Sequence, residues 1–128
     1  MKNILIVDSD LRFVYWLCQV LDEAGYETVP ATGVPEAVVA MEALGVWVDV
    51  LIARRALPGA DGLAAQLRAS QQGRLKTIAL IDQNDEPSEL ISAWDGCQDK
   101  NLAQAIAGPI LLSLVHGVLK KSTAPRRF

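Results

Sequence analysis

The chain has 128 residues, of which 51% are apolar, and its formal net charge is −3 at pH 7. A chain of this length and composition forms one globular domain with a core of its own. The weakly acidic balance, without a basic stripe, excludes a general nucleic-acid binder. No apolar run reaches the roughly 20 residues of a membrane span. We therefore expect a cytoplasmic domain that binds neither nucleic acid nor a membrane.

The first half of the chain alternates short β-branched runs with segments of helical periodicity. Asp8-Ser9-Asp10 separates the first strand from the first helix, and either Ser9 or Asp10 can cap that helix. Pro35 suits the first turn of the second helix, which Gly45 closes. The predicted elements are a strand over 3–7, a helix over 11–24, a strand over 26–29, a helix from 35 to 45 and a strand over 48–53.

The second half continues the alternation but is harder to divide. The third strand stops at Arg54-Arg55 and a Pro-Gly turn. Glu86-Pro87-Ser88 predicts the start of a helix that Gly96 ends. The other predicted elements are a helix over 62–70, a strand over 77–81, a short fifth strand over Gln104–Ala107 and a helix over Ile110–Leu119. A basic tail over 122–128 is predicted to be disordered, so the folded domain spans 1–121.

Two cysteines, Cys18 and Cys97, lie far apart and lack the CxxC spacing of a metal or redox site. Cys18 falls within an apolar helical pattern, which is typical of a buried residue. A free thiol is therefore favoured over a disulfide.

Five strands that alternate with five helices predict an α/β fold, the flavodoxin-like doubly wound sandwich with a parallel sheet. Right-handed crossovers put helices on both faces, and the strand order 2-1-3-4-5 is the common solution at this size. In such a sheet the ends of strands 1 and 3 meet at the switch point. Asp8-Ser9-Asp10 and Arg54 are therefore expected to share one crevice.

Three stretches resemble the receiver domain of two-component response regulators: ILIVDSD at the first strand, LIARRALPGADG at the third and TIALI at the fourth. A Gly-Pro pair before a final apolar helix fits as well, so the resemblance covers nearly the whole chain. It implies an aspartate that accepts a phosphoryl group from a histidine kinase. It also implies Mg²⁺ held by further carboxylates, and a cation and a hydroxyl that contact the phosphoryl oxygens.

Matched to that pattern, the chain lacks most of the residues that the chemistry needs. Arg54 stands where the family has its phosphorylated aspartate, and Ser9 replaces one of two adjacent acids. Ile81 stands in place of a threonine or serine, and Gly108 in place of the lysine before the strand-5 proline. The degenerate pocket that the match implies comprises Asp8, Ser9, Asp10, Arg54, Ile81 and Gly108.

A shifted alignment does not restore an acceptor. Asp49 lies at the entrance of the third strand, and Asp61 lies in the turn that precedes a helix. The resemblance therefore implies a pseudo-receiver that is neither phosphorylated nor an enzyme. It needs no cofactor, and its residual acids Asp8 and Asp10 bind Mg²⁺ weakly or not at all.

The position of Arg54 admits two interpretations. The guanidinium can reach Asp8 or Asp10 and fill the volume of the metal and phosphoryl group, because its fork suits carboxylates. The alternative is a solvated arginine at the end of a strand. Arg55 is predicted to be an exposed loop residue.

The last helix is apolar over more than one stripe, which indicates a contact surface or a longer buried contact. The candidate interface residues are Leu111, Leu112, Val115 and Val118. A homodimer or a protein partner bound through this helix is the expected consequence. His116, the single histidine, is predicted to be a surface or packed residue.

The leading hypothesis is a receiver-like signalling module that acts by protein–protein contact without phosphorylation. Two alternatives stay open. The first is a conventional phosphoryl acceptor at a misaligned residue. The second is a flavodoxin-like domain that binds a small anion or nucleotide with Arg54 as the ligand, although no Gly-rich loop follows the first strand.

Overall fold

The computed structural model describes residues 2–45, 47–71, 74–82, 85, 93–100 and 104–120, with side chains from residue 107 in the last range. In chain order the elements are β1 (Asn3–Val7), α1 (Leu11–Glu23), β2 (Glu27–Ala31), α2 (Val34–Leu44), β3 (Val50–Arg54), α3 (Ala60–Ser70), β4 (Lys76–Ile81), β5 (Gly96–Asp99) and α4 (Gln104–Lys120). The predicted helix that begins near Glu86 lies largely outside the described residues, as does the tail.

The strands form one parallel sheet in the order β2-β1-β3-β4-β5, which confirms the predicted fold class. Successive side chains of a strand point to opposite faces. Ile4 and Ile6 join the core with α1 and α4, whereas Leu5 and Val7 join the core with α2 and α3. Because both faces are covered, β1, β3 and β4 are apolar in continuous runs.

The predicted position of the fifth strand is wrong. The strand that pairs with β4 is Gly96–Asp99, with Ile78 opposite Gly96 and Ile81 opposite Asp99. Gln104–Ala107 instead opens α4, and Pro109 lies inside that helix. The physical reason is that β5 is an edge strand whose residues alternate between half-buried and exposed, so it shows no apolar run.

Most of the candidate interface of the last helix belongs to the core. Leu111, Val115 and Val118 are 1%, 0% and 1% exposed and pack against the sheet and α1. Their spacing of four and three residues is that of a single buried helical stripe. They are therefore unavailable to a partner, and only the half-buried Leu112 of the four candidates keeps an accessible side.

Both cysteines are free thiols, as predicted. Cys18 is half-buried on α1 and Cys97 is exposed on β5. Partial burial raises the pKa of the Cys18 thiol, because it removes water from the thiolate, although a hydrogen bond with Thr28 opposes the effect.

Among the helices described, none has the length and apolarity that a bilayer crossing demands.

Truncation of Leu111 tests whether the buried stripe of α4 is core. Leu111→Ala is expected to lower the free energy of unfolding by about 2–5 kcal/mol, because the site cannot fully collapse around the lost side chain. Urea denaturation followed by circular dichroism measures the change. Ser113→Ala, at an exposed position of α4, is the control and should change stability by less than about 0.5 kcal/mol. Equal stability of the two variants would contradict the core assignment.

Candidate functional site

A crevice forms at the edge of the sheet where four strands end. The register aligns Val7 with Ala53, Arg54 with Leu80, and Ile81 with Asp99. The carboxyl ends of β1, β3, β4 and β5 therefore meet, and ligand sites of open parallel sheets lie at such an edge.

Asp8 and Lys100 form a buried ion pair across this crevice. Lys100 Nζ lies 2.8 Å from Asp8 Oδ2, and the two side chains are 9% and 0% exposed. Asp8 Oδ1 accepts a hydrogen bond from the N–H of Asp10 at 2.9 Å. Lys100 Nζ also lies 5.0 Å from the ring centre of Phe13, within the range of a cation–π contact. Both oxygens of the innermost carboxylate are thus already engaged.

The three polar residues after β1 have different environments. Asp8 is buried, whereas Ser9 and Asp10 are exposed. Asp10 is the N-cap of α1, and its Oδ1 accepts the N–H of Phe13 at 3.3 Å. Of the two predicted caps, Asp10 is therefore the one used, and its carboxylate is partly committed to the helix terminus.

The expected pairing of Arg54 with Asp8 or Asp10 is wrong. Arg54 Nη2 lies 3.4 Å from Asp85 Oδ1, with the two side chains 29% and 11% exposed. The other oxygen of Asp85 accepts the N–H of Asp82 at 2.9 Å. The physical reason is that Lys100 already neutralises Asp8. The guanidinium of Arg54 therefore gains more electrostatic free energy from Asp85, a separate acid that follows β4.

Arg55 is not the exposed loop residue that was predicted. Its side chain is 18% exposed, and Nη2 lies 3.3 Å from Asp61 Oδ2. Asp61 Oδ1 accepts a hydrogen bond from Trp94 Nε1 at 2.8 Å. Asp61 therefore links the turn after β3 to the segment before β5.

The last two predicted pocket residues occupy different places. Ile81 ends β4 and packs, half-buried, against the core beneath α2 and α3. Gly108 lies in α4, where an added Cβ would be 3.6 Å from Trp16, so it is not part of the crevice.

With β5 correctly placed, the residue that follows it is Lys100. The expectation that the pocket has no lysine is therefore wrong. Lys100 was missed because the fifth strand was predicted at 104–107 and not directly before this lysine.

The innermost acid of the crevice, Asp8, does not offer Mg²⁺ a free carboxylate. Mg²⁺ needs carboxylate oxygens free to coordinate it, but those of Asp8 bind Lys100 and a backbone N–H. Nowhere in the described part of the chain do three or more histidine, cysteine or acidic side chains cluster with the geometry of a metal site.

No family model matches the chain. The swarming motility regulation protein RssB of Serratia marcescens is 27% identical over 119 residues, which are 93% of this chain and 53% of RssB. The chain thus spans about half the length of this relative.

Solved structures of similar fold include three response regulators. CheY4 of Vibrio cholerae is 23% identical with a TM-score of 0.76, over 93% of this chain and 99% of CheY4. A putative response regulator of Chloroflexus aurantiacus is 25% identical with a TM-score of 0.75, over 94% and 98% of the two chains. TrrA of Thermotoga maritima, solved in complex with Mg²⁺-BeF, is 24% identical with a TM-score of 0.73, over 93% and 100%.

The sheet order and these likenesses agree on the fold. The chain has the CheY-like, flavodoxin-type α/β fold that these solved response regulators share. In this chain the paired side chains of the crevice are Asp8 with Lys100 and Arg54 with Asp85.

Removal of one partner of the buried ion pair tests its role. Lys100→Met leaves the Asp8 carboxylate buried without its counter-charge, so the free energy of unfolding should fall by about 3–5 kcal/mol. The double variant Asp8→Asn/Lys100→Met should recover most of this loss. Lys120→Met, at an exposed position of α4, is the matched control. A Lys100→Met variant as stable as this control in urea denaturation would contradict the pair.

Proposed function

We propose that the chain is a receiver domain of two-component signalling that does not accept a phosphoryl group and signals through protein–protein contact. The observation that carries the proposal is the side chain at the carboxyl end of β3. Arg54 occupies the position where the receiver pattern has its acceptor aspartate, and it is bound to Asp85. A guanidinium has no nucleophilic oxygen and keeps its charge at any physiological pH.

The chemistry of acceptance explains why the remaining acids do not replace the missing one. A carboxylate oxygen must attack phosphorus while the bond from phosphorus to the donor breaks, and nearby cations must neutralise the charge on the phosphoryl oxygens. Asp8 is fully buried beneath Lys100. Asp10 is exposed and caps α1. Neither offers a free carboxylate beside the cations.

The charges of the crevice are paired without any ligand. Asp8 is paired with Lys100, and Asp85 with Arg54. An incoming phosphoryl group would have to compete with one of these carboxylates for its cation. We infer that the crevice is held in one electrostatic state.

Incubation with radiolabelled acetyl phosphate and Mg²⁺ tests the proposal. The wild-type chain should take up no label, and titration calorimetry with Mg²⁺ and beryllofluoride should show no saturable binding. Arg54→Asp should gain slow labelling, because it restores a carboxylate within a crevice that holds Lys100. Arg55→Asp is the matched control and should gain none.

Stoichiometric labelling of the wild-type chain would overturn the proposal. Mass spectrometry of borohydride-trapped peptides would then identify the acceptor and establish the alternative, a conventional receiver with its aspartate elsewhere. Labelling of Arg54→Asp at the rate of Arg55→Asp would show instead that Arg54 is not the residue that blocks acceptance.

The proposed contact surface is the outer side of α4. Ile110 is 40% exposed, and the half-buried Leu112 and exposed Pro109 lie beside it in sequence. An apolar side chain this exposed gains free energy when a partner covers it. This surface replaces the predicted set of Leu111, Leu112, Val115 and Val118, of which only Leu112 is retained.

Sedimentation velocity over a range of concentrations tests whether the surface joins two copies. The wild-type chain is expected to show a concentration-dependent monomer–dimer equilibrium, and Ile110→Glu should shift it to monomer because a carboxylate would be buried unpaired. Ala69→Glu adds the same charge at an exposed position of α3, on the other side of the sheet, and should have less effect. A wild-type chain that stays monomeric at millimolar concentration would rule out self-association through α4.

A further inference from the structure

A groove of about 350 Å³ lies between α2 and α3, away from the crevice. Both helices run from the carboxyl edge of the sheet to its amino edge, and the groove includes residues at the ends of both, Gly45 and Gln71. It is therefore at the opposite end of the sheet from Asp8 and Lys100. Its lining includes Met41, Glu42, Trp47, Leu67, Ser70 and Gln71.

A buried amide in this groove has an unused donor. Gln71 is 6% exposed, and its Oε1 accepts the N–H of Val48 at 2.7 Å. This bond identifies which end of the amide is nitrogen. The nitrogen, Nε2, is buried and has no hydrogen-bond partner among the residues that the structure describes. Buried side-chain donors are nearly always paired, so a specific orphan indicates a site for an acceptor.

An exposed aromatic residue forms one wall of the groove. Trp47 is 54% exposed, although its backbone is fixed because its carbonyl accepts Asn3 Nδ2 at 2.9 Å. The guanidinium carbon of Arg74 lies 5.5 Å from the centre of the indole ring. The indole thus has a cation beside it and an accessible apolar surface, an arrangement that favours contact with a flat apolar molecule.

We propose that the groove binds a compact, uncharged and mainly apolar small molecule that carries a carbonyl acceptor. The acceptor would take the hydrogen bond of Gln71 Nε2, and the apolar body would pack against Met41, Leu67 and the indole of Trp47. Glu42 in the lining disfavours an anionic ligand. A volume of about 350 Å³ lies within the usual range of small-molecule sites. The proposal is independent of whether the domain accepts a phosphoryl group.

Two probes that differ only in the acceptor test this assignment. Acetophenone has a carbonyl group, and ethylbenzene has nearly the same shape without it. In proton–nitrogen correlation spectra of the full chain, acetophenone should shift the side-chain amide of Gln71 and the indole N–H of Trp47 in a saturable way. Ethylbenzene should bind roughly 2- to 10-fold more weakly, which is the range of one hydrogen bond.

A pair of variants on α3 localises the binding. Ser70→Trp introduces an indole at an exposed position that lines the groove, whereas Ala69→Trp introduces it at the exposed neighbouring position, which does not line it. Acetophenone binding should be lost in the first variant and kept in the second. Equal affinity for the two probes, equal binding by the two variants, or no binding at millimolar concentration would each overturn the proposal.

Discussion

The ion pair between Asp8 and Lys100 is the interaction on which the crevice depends. It joins residues 92 positions apart, one after β1 and the other after β5. A buried pair of this kind contributes little net stability relative to an apolar pair, because both ions lose their hydration. The pair instead contributes to the specificity of the fold. A buried Asp8 without Lys100, or a buried Lys100 without Asp8, would be strongly unfavourable. The pair therefore ties the edge strand β5 and the inner strand β1 to one arrangement.

The position of Arg54 follows from this pair. A guanidinium beside Lys100 would add a second positive charge to a crevice whose innermost carboxylate is already neutralised. Arg54 instead contacts Asp85, a partly buried acid held by the N–H of Asp82. The two pairs divide the crevice into separate neutral units, so these charges are balanced within the chain itself. This balance is the physical basis of the proposed independence from phosphorylation.

The sequence was sufficient for the strands that are buried on both faces and insufficient for the edge strand β5. Runs such as NILIV are continuous and apolar because helices cover both sides of the sheet, so β1, β3 and β4 could be predicted together with the strand order. GCQD of β5 has no such pattern, because an edge strand alternates half-buried and exposed residues. The error moved the expected lysine position to Gly108 and concealed Lys100. Asp85 could not be predicted as the partner of Arg54, since the choice among several acids depends on distances that no pattern records.

Strand β3 connects the groove at the amino end of the sheet with the crevice at the carboxyl end. The packing of β3 limits how far a ligand in the groove can change the crevice. Val48, whose N–H is held by Gln71, lies just before the strand, and Arg54 ends it. A ligand in the groove could alter the crevice only if β3 had a second arrangement of nearly equal free energy. The strand is paired on both sides with β1 and β4, and Val50 to Ala53 are fully buried, so a shift would break both ladders together. Binding at Gln71 is therefore expected to stabilise the domain as a whole and to leave the pairing of Arg54 with Asp85 unchanged.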